Sequence, residues 1–332
     1  MKHTETVENI VKAMQSFAVY EDMPSAEQLT IAEDVKREIE EHDIFLHEYL
    51  TFRFETLLQE ERRKYLPISE YAWRLPNNVN IINYSGKYEF NNKAKQFISR
   101  DYICLEDASR EDFRSFIGRH EQIIAKPLRK QCGTGITVYH TADWKPDELY
   151  GELIVKDTPL AEEYVYQHPE MAKFHPDSLN TLRVTTFTDF NGNISFKAAY
   201  IRTGCGSSVV DNICKCGIGA PIDMNTGIIA GDGVDSTCHT YEKHPDTGVV
   251  FKGFAIPRFD KVMKKVDEYT KLFSEMHFVG WDIAIKENGD IELIEANLIP
   301  DLTSEQLFYG PLAEKFRKLY GSREYGKRQQ VV

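Results

Sequence analysis

Nowhere in the 332 residues is there an apolar run long enough to cross a bilayer, so the chain reads as a soluble protein. The first residues, Met1-Lys2-His3-Thr4-Glu5, hold no apolar segment of the kind a secretory signal needs, and a cytoplasmic location is expected. Basic charge is in short supply: 40 Lys and Arg stand against 52 Asp and Glu, a net charge of −12. Such a chain is not built around a nucleic-acid backbone or an anionic membrane, although a local basic groove can still hold phosphates. Cysteine is sparse as well. The six are scattered, and the one close pair, Cys214-Lys215-Cys216, lacks the second pair that zinc spacing requires. Free thiols in a reducing compartment are expected. Internal repeats, low-complexity tracts and a convincing Ser-His-Asp or Cys-His set are missing too, so nothing points to a covalent nucleophile.

What is present divides the chain in two. Residues 1–89 are rich in Glu, Lys, Arg and Leu with helical periodicity, including a start signal at Ser25-Ala26-Glu27-Gln28 and an apolar stripe of Ile44, Leu46, Leu50, Phe54, Leu57 and Leu58. A helical layer packed on the main body is expected there. From about residue 90 to 320 the texture changes to short β-branched and aromatic strands separated by helices. Strands are expected at 119–127, 181–187 and 194–202, with a Gly-containing turn and second strand over 131–139, a strand and linker over 160–165, and Asn191-Gly192 turning the last two strands. The segment 258–276 reads as an amphipathic helix with Val262, Val266, Tyr269, Leu272 and Phe273 inward. Antiparallel strands with helices laid to one side predict an α+β fold. Residues 90–165 and 166–320 read as two subdomains, and 321–332 as a polar, frayed tail.

The densest polar pattern lies near the end. Val279-Gly280-Trp281-Asp282-Ile283-Ala284-Ile285 and Ile291-Glu292-Leu293-Ile294-Glu295-Ala296-Asn297 flank an Asn288-Gly289 turn, a β-hairpin signature. Strict alternation puts Asp282 with Ala284, and Leu293 with Glu295 and Asn297. If those faces meet, Asp282, Glu295 and Asn297 converge as three oxygen donors suited to Mg²⁺ shared with phosphates; otherwise the hairpin simply carries a polar, solvated face. Upstream, Lys126 ends an apolar strand before a turn containing Gly133 and Gly135, a device for gripping phosphate oxygens. Glu162-Glu163-Tyr164-Val165 offers an extended edge to a flat heterocycle. Arg183, Lys197 and Arg202 place three cations on one meander, with Arg183 in an otherwise apolar strand where charge demands a partner. Asp211-Asn212 and Gly217-Ile218-Gly219 have the composition of a flexible, substrate-contacting loop.

Taken in this order, these elements resemble the ATP-grasp superfamily over roughly residues 90–310. The phrases Asn180-Thr181-Leu182-Arg183, His244-Pro245-Asp246-Thr247-Gly248, Gly280-Trp281-Asp282 and Glu295-Ala296-Asn297 look like the sugar-transfer-associated branch, which is linked to polysaccharide biosynthesis. The resemblance implies two α+β subdomains clamping ATP. Lys126 and Lys93 would hold phosphates with Lys197 and the Gly133–Gly135 turn, while Glu162, Glu163 and Val165 would meet adenine. Asp282, Glu295 and Asn297 would bind Mg²⁺, Arg183 and Arg202 would face the transferring phosphate, and Asn212, Gly217 and Gly219 would line the substrate side. The chain departs from the pattern at Gly280, where some relatives place an Arg two before the Asp, so that Arg183 or Arg202 must substitute. The implied reaction is ATP- and Mg²⁺-dependent amide formation between a small-molecule carboxylate and an amine, through an acyl phosphate with release of ADP. The alternatives are phosphoryl transfer to a sugar or glycan hydroxyl on the same fold, and a non-catalytic nucleotide-sensing module. A homodimer is left open.

Overall fold

Two antiparallel sheets carry the architecture of the computed structural model, which describes residues 5–72, 86–130, 133–207, 211 and 217–321. The smaller sheet joins β1 (Tyr102–Cys104), β2 (Gln122–Lys126), β3 (Thr137–His140) and β4 (Leu160–Glu163) in the order β1-β4-β2-β3. The larger contains β5 (Thr181–Thr188), β6 (Ile194–Thr203), β7 (Ile218–Pro221), β8 (Gly233–Val234), β9 (Thr240–Tyr241), β10 (Phe278–Ile285) and β11 (Ile291–Asn297), in the order β11-β10-β5-β6-β7-β8-β9.

Before the sheets come helices α1 (Val7–Met14), α2 (Ser25–His42), α3 (Leu46–Phe52), α4 (Gln59–Arg62) and α5 (Ile68–Tyr71). α1, α2 and α3 share a core of Ile10, Met14, Ile31, Val35 and Tyr49 with the following Phe54, whereas Tyr71 of α5 packs with Phe278 and Phe316. The single apolar stripe expected from Ile44 to Leu58 is broken. Arg53 takes a left-handed conformation that ends α3, and Leu58 is exposed. Inside this layer Arg62 bridges Glu38 at 2.7 Å and Asp34 at 2.8 Å, pairing a charge that burial would otherwise strand.

The small sheet has two faces with different work. Ile123, Ala125 and Ala161 pack against α7 (Arg110–Ile117) and α8 (Pro146–Val155), through Phe113, Phe116, Leu149 and Leu153. Alternation therefore turns Ile124, Lys126 and Glu162 the other way, toward the large sheet. α6 (Lys87–Lys93) and the chain near Arg100 lie between the two sheets.

The large sheet is covered on both sides, which is why every residue of β5 is buried. On one face, Leu182, Val184, Trp281, Ile283 and Leu293 pack with Val262, Val266 and Tyr269 of α10 (Phe259–Leu272). On the other lie Thr181, Arg183, Thr185, Tyr200, Arg202 and Asp282. α11 (Thr303–Tyr309) covers part of that polar face, with Thr185 donating to the Glu305 carboxylate. A short α9 (Pro169–Ala172) precedes the sheet and α12 (Ala313–Tyr320) follows α11.

Candidate functional site

The hairpin brings Asp282, Glu295 and Asn297 together, by a route that strict alternation does not give. Ile283 pairs with Leu293, but Asp282 pairs with Glu295, so β11 carries a bulge at Ile294. Regular pairing would set Glu295 opposite Trp281, on the core face. The extra residue returns Leu293 to the core with Ile283 and turns Glu295 to the side of Asp282. Asn297 Nδ2 then lies 3.1 Å from Asp282 Oδ2 and 3.2 Å from Glu295 Oε1. Exchanging the Asn297 amide N and O presents three hard oxygens to one point, a donor set that fits Mg²⁺. Among the described residues no cluster of three His, Cys, Asp or Glu offers an alternative metal centre.

Two arginines back this triad. Arg183 lies directly across from Asp282 and grips it with Nε at 2.5 Å and Nη2 at 3.2 Å. Arg202 reaches the same carboxylate at 3.1 Å and Asp211 at 3.4 Å, and donates to Thr181 Oγ1 at 2.9 Å. Burial works against the charged form of Asp282, but Arg183 and then Arg202 overcome it and hold the carboxyl below its ordinary range. For Asp211 burial wins over Arg202, and its carboxyl is raised.

Gly280 explains how Arg183 fits. A Cβ at this position would stand 2.9 Å from Pro300 Cβ, 3.2 Å from Arg183 Cδ and 3.4 Å from Arg183 Nε. The side chain of Arg183 lies over the missing Cβ, and its guanidinium reaches Asp282 from the neighbouring strand.

Across from the hairpin, Lys126 Nζ is 2.5 Å from Glu162 Oε2. Glu162 also accepts from Arg100 Nε at 2.9 Å and from Asn91 at 2.6 Å. Burial opposes its charge, yet Arg100 and Lys126 hold its carboxyl well below the ordinary value. The strand is therefore not the open edge that its sequence suggested. β4 is interior, Glu162 pairs with both Tyr102 and Ile124, and its carboxylate is committed to Lys126 and Arg100. Glu163 is likewise in the ladder, opposite Ile123, and its carboxylate accepts from the Asp101 N–H. Val165 lies beyond the strand end.

Other candidates distribute as follows. Gly133 and Gly135 form the expected turn with φ of 64° and 79°, and a Cβ on Gly135 would meet Pro127 at 2.9 Å. Lys93 is exposed in the last turn of α6; at the first turn Lys87 Nζ stands 3.9 Å from Glu295 Oε2. Lys197 does not join the arginines. It is five positions from Arg202, hence on the opposite face, where it pairs with Asp267 of α10. Gly219 is in β7 opposite Arg202 rather than in a flexible loop, with Gly217 just before the strand. Asn212 and the Cys214–Cys216 pair lie outside the described residues.

Sequence reasoning missed Lys87, Asn91, Arg100 and Glu305. Glu305 is fully buried, its Oε2 has no hydrogen-bond partner, and burial, only partly offset by Arg183 and Thr185, pushes its carboxyl up to about 7. A charged residue in an apolar helix face was its only signal.

Comparison with known proteins fits this arrangement to a class. Distant likeness extends to solved ligase structures: the ADP complex of N5-carboxyaminoimidazole ribonucleotide synthetase (8% identity, TM-score 0.42, 69% of this chain and 48% of that one). D-alanyl-alanine synthetase A from Vibrio cholerae O1 biovar eltor shows 13% identity and a TM-score of 0.43, over 73% of this chain and 62% of that one. D-cycloserine synthetase DcsG shows 12% and 0.43, over 73% and 70%. In the first two, the match spans about half to three-fifths of the known chain. No curated protein sequence matches. The sequence pattern of the sugar-transfer-associated ATP-grasp family, however, matches residues 88–318. The chain belongs to that family, a branch of the ATP-grasp superfamily with its α+β fold.

Among the described residues no helix is long and apolar enough to cross a membrane.

Proposed function

We propose that the protein is an ATP- and Mg²⁺-dependent carboxylate–amine ligase acting on small molecules in polysaccharide or amino-acid conjugate biosynthesis. The observation that carries this reading is the convergence of Asp282, Glu295 and Asn297 directly in front of Arg183 and Arg202. Mg²⁺ held by Asp282, Glu295 and Asn297 would neutralise phosphate charge and bring the terminal phosphate to the arginines. Lys126 and Lys87, which flank Glu162 and Glu295, contribute further positive charge along the phosphates.

In the reaction a substrate carboxylate oxygen attacks the γ-phosphorus and ADP leaves, giving an acyl phosphate. An amine then attacks the acyl carbon, phosphate departs with the amine's proton, and an amide remains. The protein's contribution is alignment and charge: Arg183 and Arg202 cover the equatorial oxygens as negative charge redistributes. Gly219 leaves the cross-strand position beside Arg202 without a side chain.

A carboxylate nucleophile needs no general base, and that favours the ligase over transfer to a hydroxyl. Asp282 is engaged by both arginines and Asn297, and Asp211 by Thr181 and Arg202. Glu305 has an unengaged oxygen but is fully buried. Glu295, the remaining carboxylate, is assigned to Mg²⁺ beside Asn297.

The test is incubation with ATP, Mg²⁺, hydroxylamine and a panel of amino acids and sugar acids. Hydroxamate accompanied by ADP is expected. AMP release, or ADP release that ignores the carboxylate and follows an added sugar alcohol, would overturn the ligase reading.

A further inference from the structure

Arg100 lies between the two sheets with its side chain 2% exposed, and all of its guanidinium nitrogens are bonded. Nε donates to Glu162 Oε2 at 2.9 Å and Nη1 to Glu292 Oε1 at 2.9 Å. Nη1 also donates to the Leu293 carbonyl at 2.7 Å, and Nη2 to the Ile294 carbonyl at 3.1 Å. Nη2 further reaches Asn91 Oδ1 and Glu162 Oε1, both at 3.2 Å.

The pair of carbonyls is the telling contact. Successive carbonyls of a regular strand point to opposite sides, so one guanidinium cannot take both. It does so here because Ile294 is the extra residue of the β11 bulge, where ladder pairing is interrupted. β11 is also the edge strand of its sheet, so nothing of the ladder lies beyond it to receive these groups. A planar fork of donors meets that need, and a lysine's point charge does not. The same bulge puts Glu295 and Asn297 on the side of Asp282. Glu292, which anchors Nη1 on one side of the bulge, is itself held by the Ser99 N–H at 3.1 Å.

We propose that Arg100 is a positioning residue that fixes the β11 bulge, and thereby the orientation of Glu295 and Asn297, while tying them to the Glu162–Lys126 pair of the small sheet. Its fork holds the metal-ligand strand, and its Nε edge holds the carboxylate against which Lys126 rests. The two halves of the nucleotide site are thus registered through one side chain. This inference rests on the proposed Mg²⁺–nucleotide site.

Binding, rather than turnover, tests it. Arg100→Lys keeps the charge that Glu162 requires but loses the fork onto the two carbonyls. ADP affinity is measured calorimetrically in EDTA, and Mn²⁺ affinity by electron paramagnetic resonance at saturating ADP. The expected result is an Mn²⁺ affinity about tenfold weaker, the scale on which groups that orient metal ligands act, with metal-free ADP affinity within about twofold of wild type. Unchanged Mn²⁺ affinity, or equal losses for Mn²⁺ and ADP, overturns the role of Arg100 while leaving the site itself intact. Failure of the wild-type protein to bind Mn²⁺ with ADP would instead sink the site and this inference together. Should Arg100→Lys not fold, Glu292→Gln gives the reading: it keeps an acceptor but weakens the anchor, and a smaller, Mn²⁺-selective loss is expected. Wild-type Mn²⁺ affinity in Glu292→Gln would again refute the proposal.

Discussion

Glu305 offers a prediction whose size and sign follow from its surroundings. The residue is fully buried on α11, accepts from Thr185, and faces Arg183 and Tyr200 from the sheet. Asp301 adds a like charge nearby, and burial leads the causes that raise the carboxyl from 4.5 to about 7. A carboxyl with a raised folded-state value binds its proton more tightly folded than unfolded. Its stabilising contribution is therefore fully present below the unfolded value and is lost as pH rises toward 7. At 1.36 kcal/mol per unit, that raise corresponds to an upper bound of about 3 kcal/mol between pH 4.5 and 7. Glu48, buried under the N-terminal layer and also raised to about 7, adds a contribution of the same sign, so wild-type pH dependence alone cannot isolate Glu305. The measurement is the difference between wild type and Glu305→Gln in urea unfolding at pH 5 and pH 8. Glutamine approximates the protonated carboxyl and does not titrate. The variant is expected to gain about 1–3 kcal/mol relative to wild type on going from pH 5 to pH 8. A difference that stays flat across that interval, with both proteins folded, would refute the assignment of a buried proton to Glu305.

Two further outcomes separate the proposed site face from the opposite one. Gly280→Ala forces a methyl to within 2.9 Å of Pro300 Cβ and 3.2 Å of Arg183 Cδ. A stability loss of about 1–3 kcal/mol in thermal or urea unfolding is expected, together with weaker Mg²⁺·ADP binding as Arg183 is pushed from Asp282; wild-type values for both would show that the space over Gly280 is not needed. Lys197→Ala, by contrast, removes a half-exposed pair with Asp267 on the far side of the sheet. Its Mg²⁺·ADP dissociation constant should stay within about twofold of wild type and its stability within about 1 kcal/mol, and a tenfold loss of affinity would return Lys197 to the site.

The convergence at the centre of the candidate site was legible because it is local. Asp282, Glu295 and Asn297 occupy one hairpin, and the Asn-Gly turn fixes that the two arms meet. The detail was not legible. Alternation alone groups Leu293 with Glu295, whereas the structure buries Leu293 and turns Glu295 outward, since a bulge has no reliable single-sequence signature. Lys197 was legible and misjudged: five positions from Arg202 along one strand means the opposite face. Arg100 could not be found at all from spacing. Its partners Glu162 and Glu292 are 62 and 192 residues away, and only the docking of two sheets brings them together. Sheet order hid the fate of Glu162 as well. A strand followed by polar residues reads like an edge, yet β4 is flanked by β1 and β2.

If Arg183 serves the site as proposed, position 280 illustrates how a cation missing from one strand can be replaced from the next. An arginine two before the acid would project from the same strand and share its face. In this chain that place is Gly280, and the cation comes instead from Arg183, directly across the ladder from Asp282. The shorter distance lets it form two contacts to the carboxylate, but its side chain must then cross the position two residues from Asp282. Gly280 and Arg183 are thus coupled across two strands: restoring a side chain at 280 without removing Arg183 puts two groups in one space, and removing Arg183 without restoring one leaves Arg202 as the one cation paired with the buried Asp282. A functional arginine at position 280 would therefore require a compensating small residue at 183, a pairing that neither strand's local pattern reveals alone.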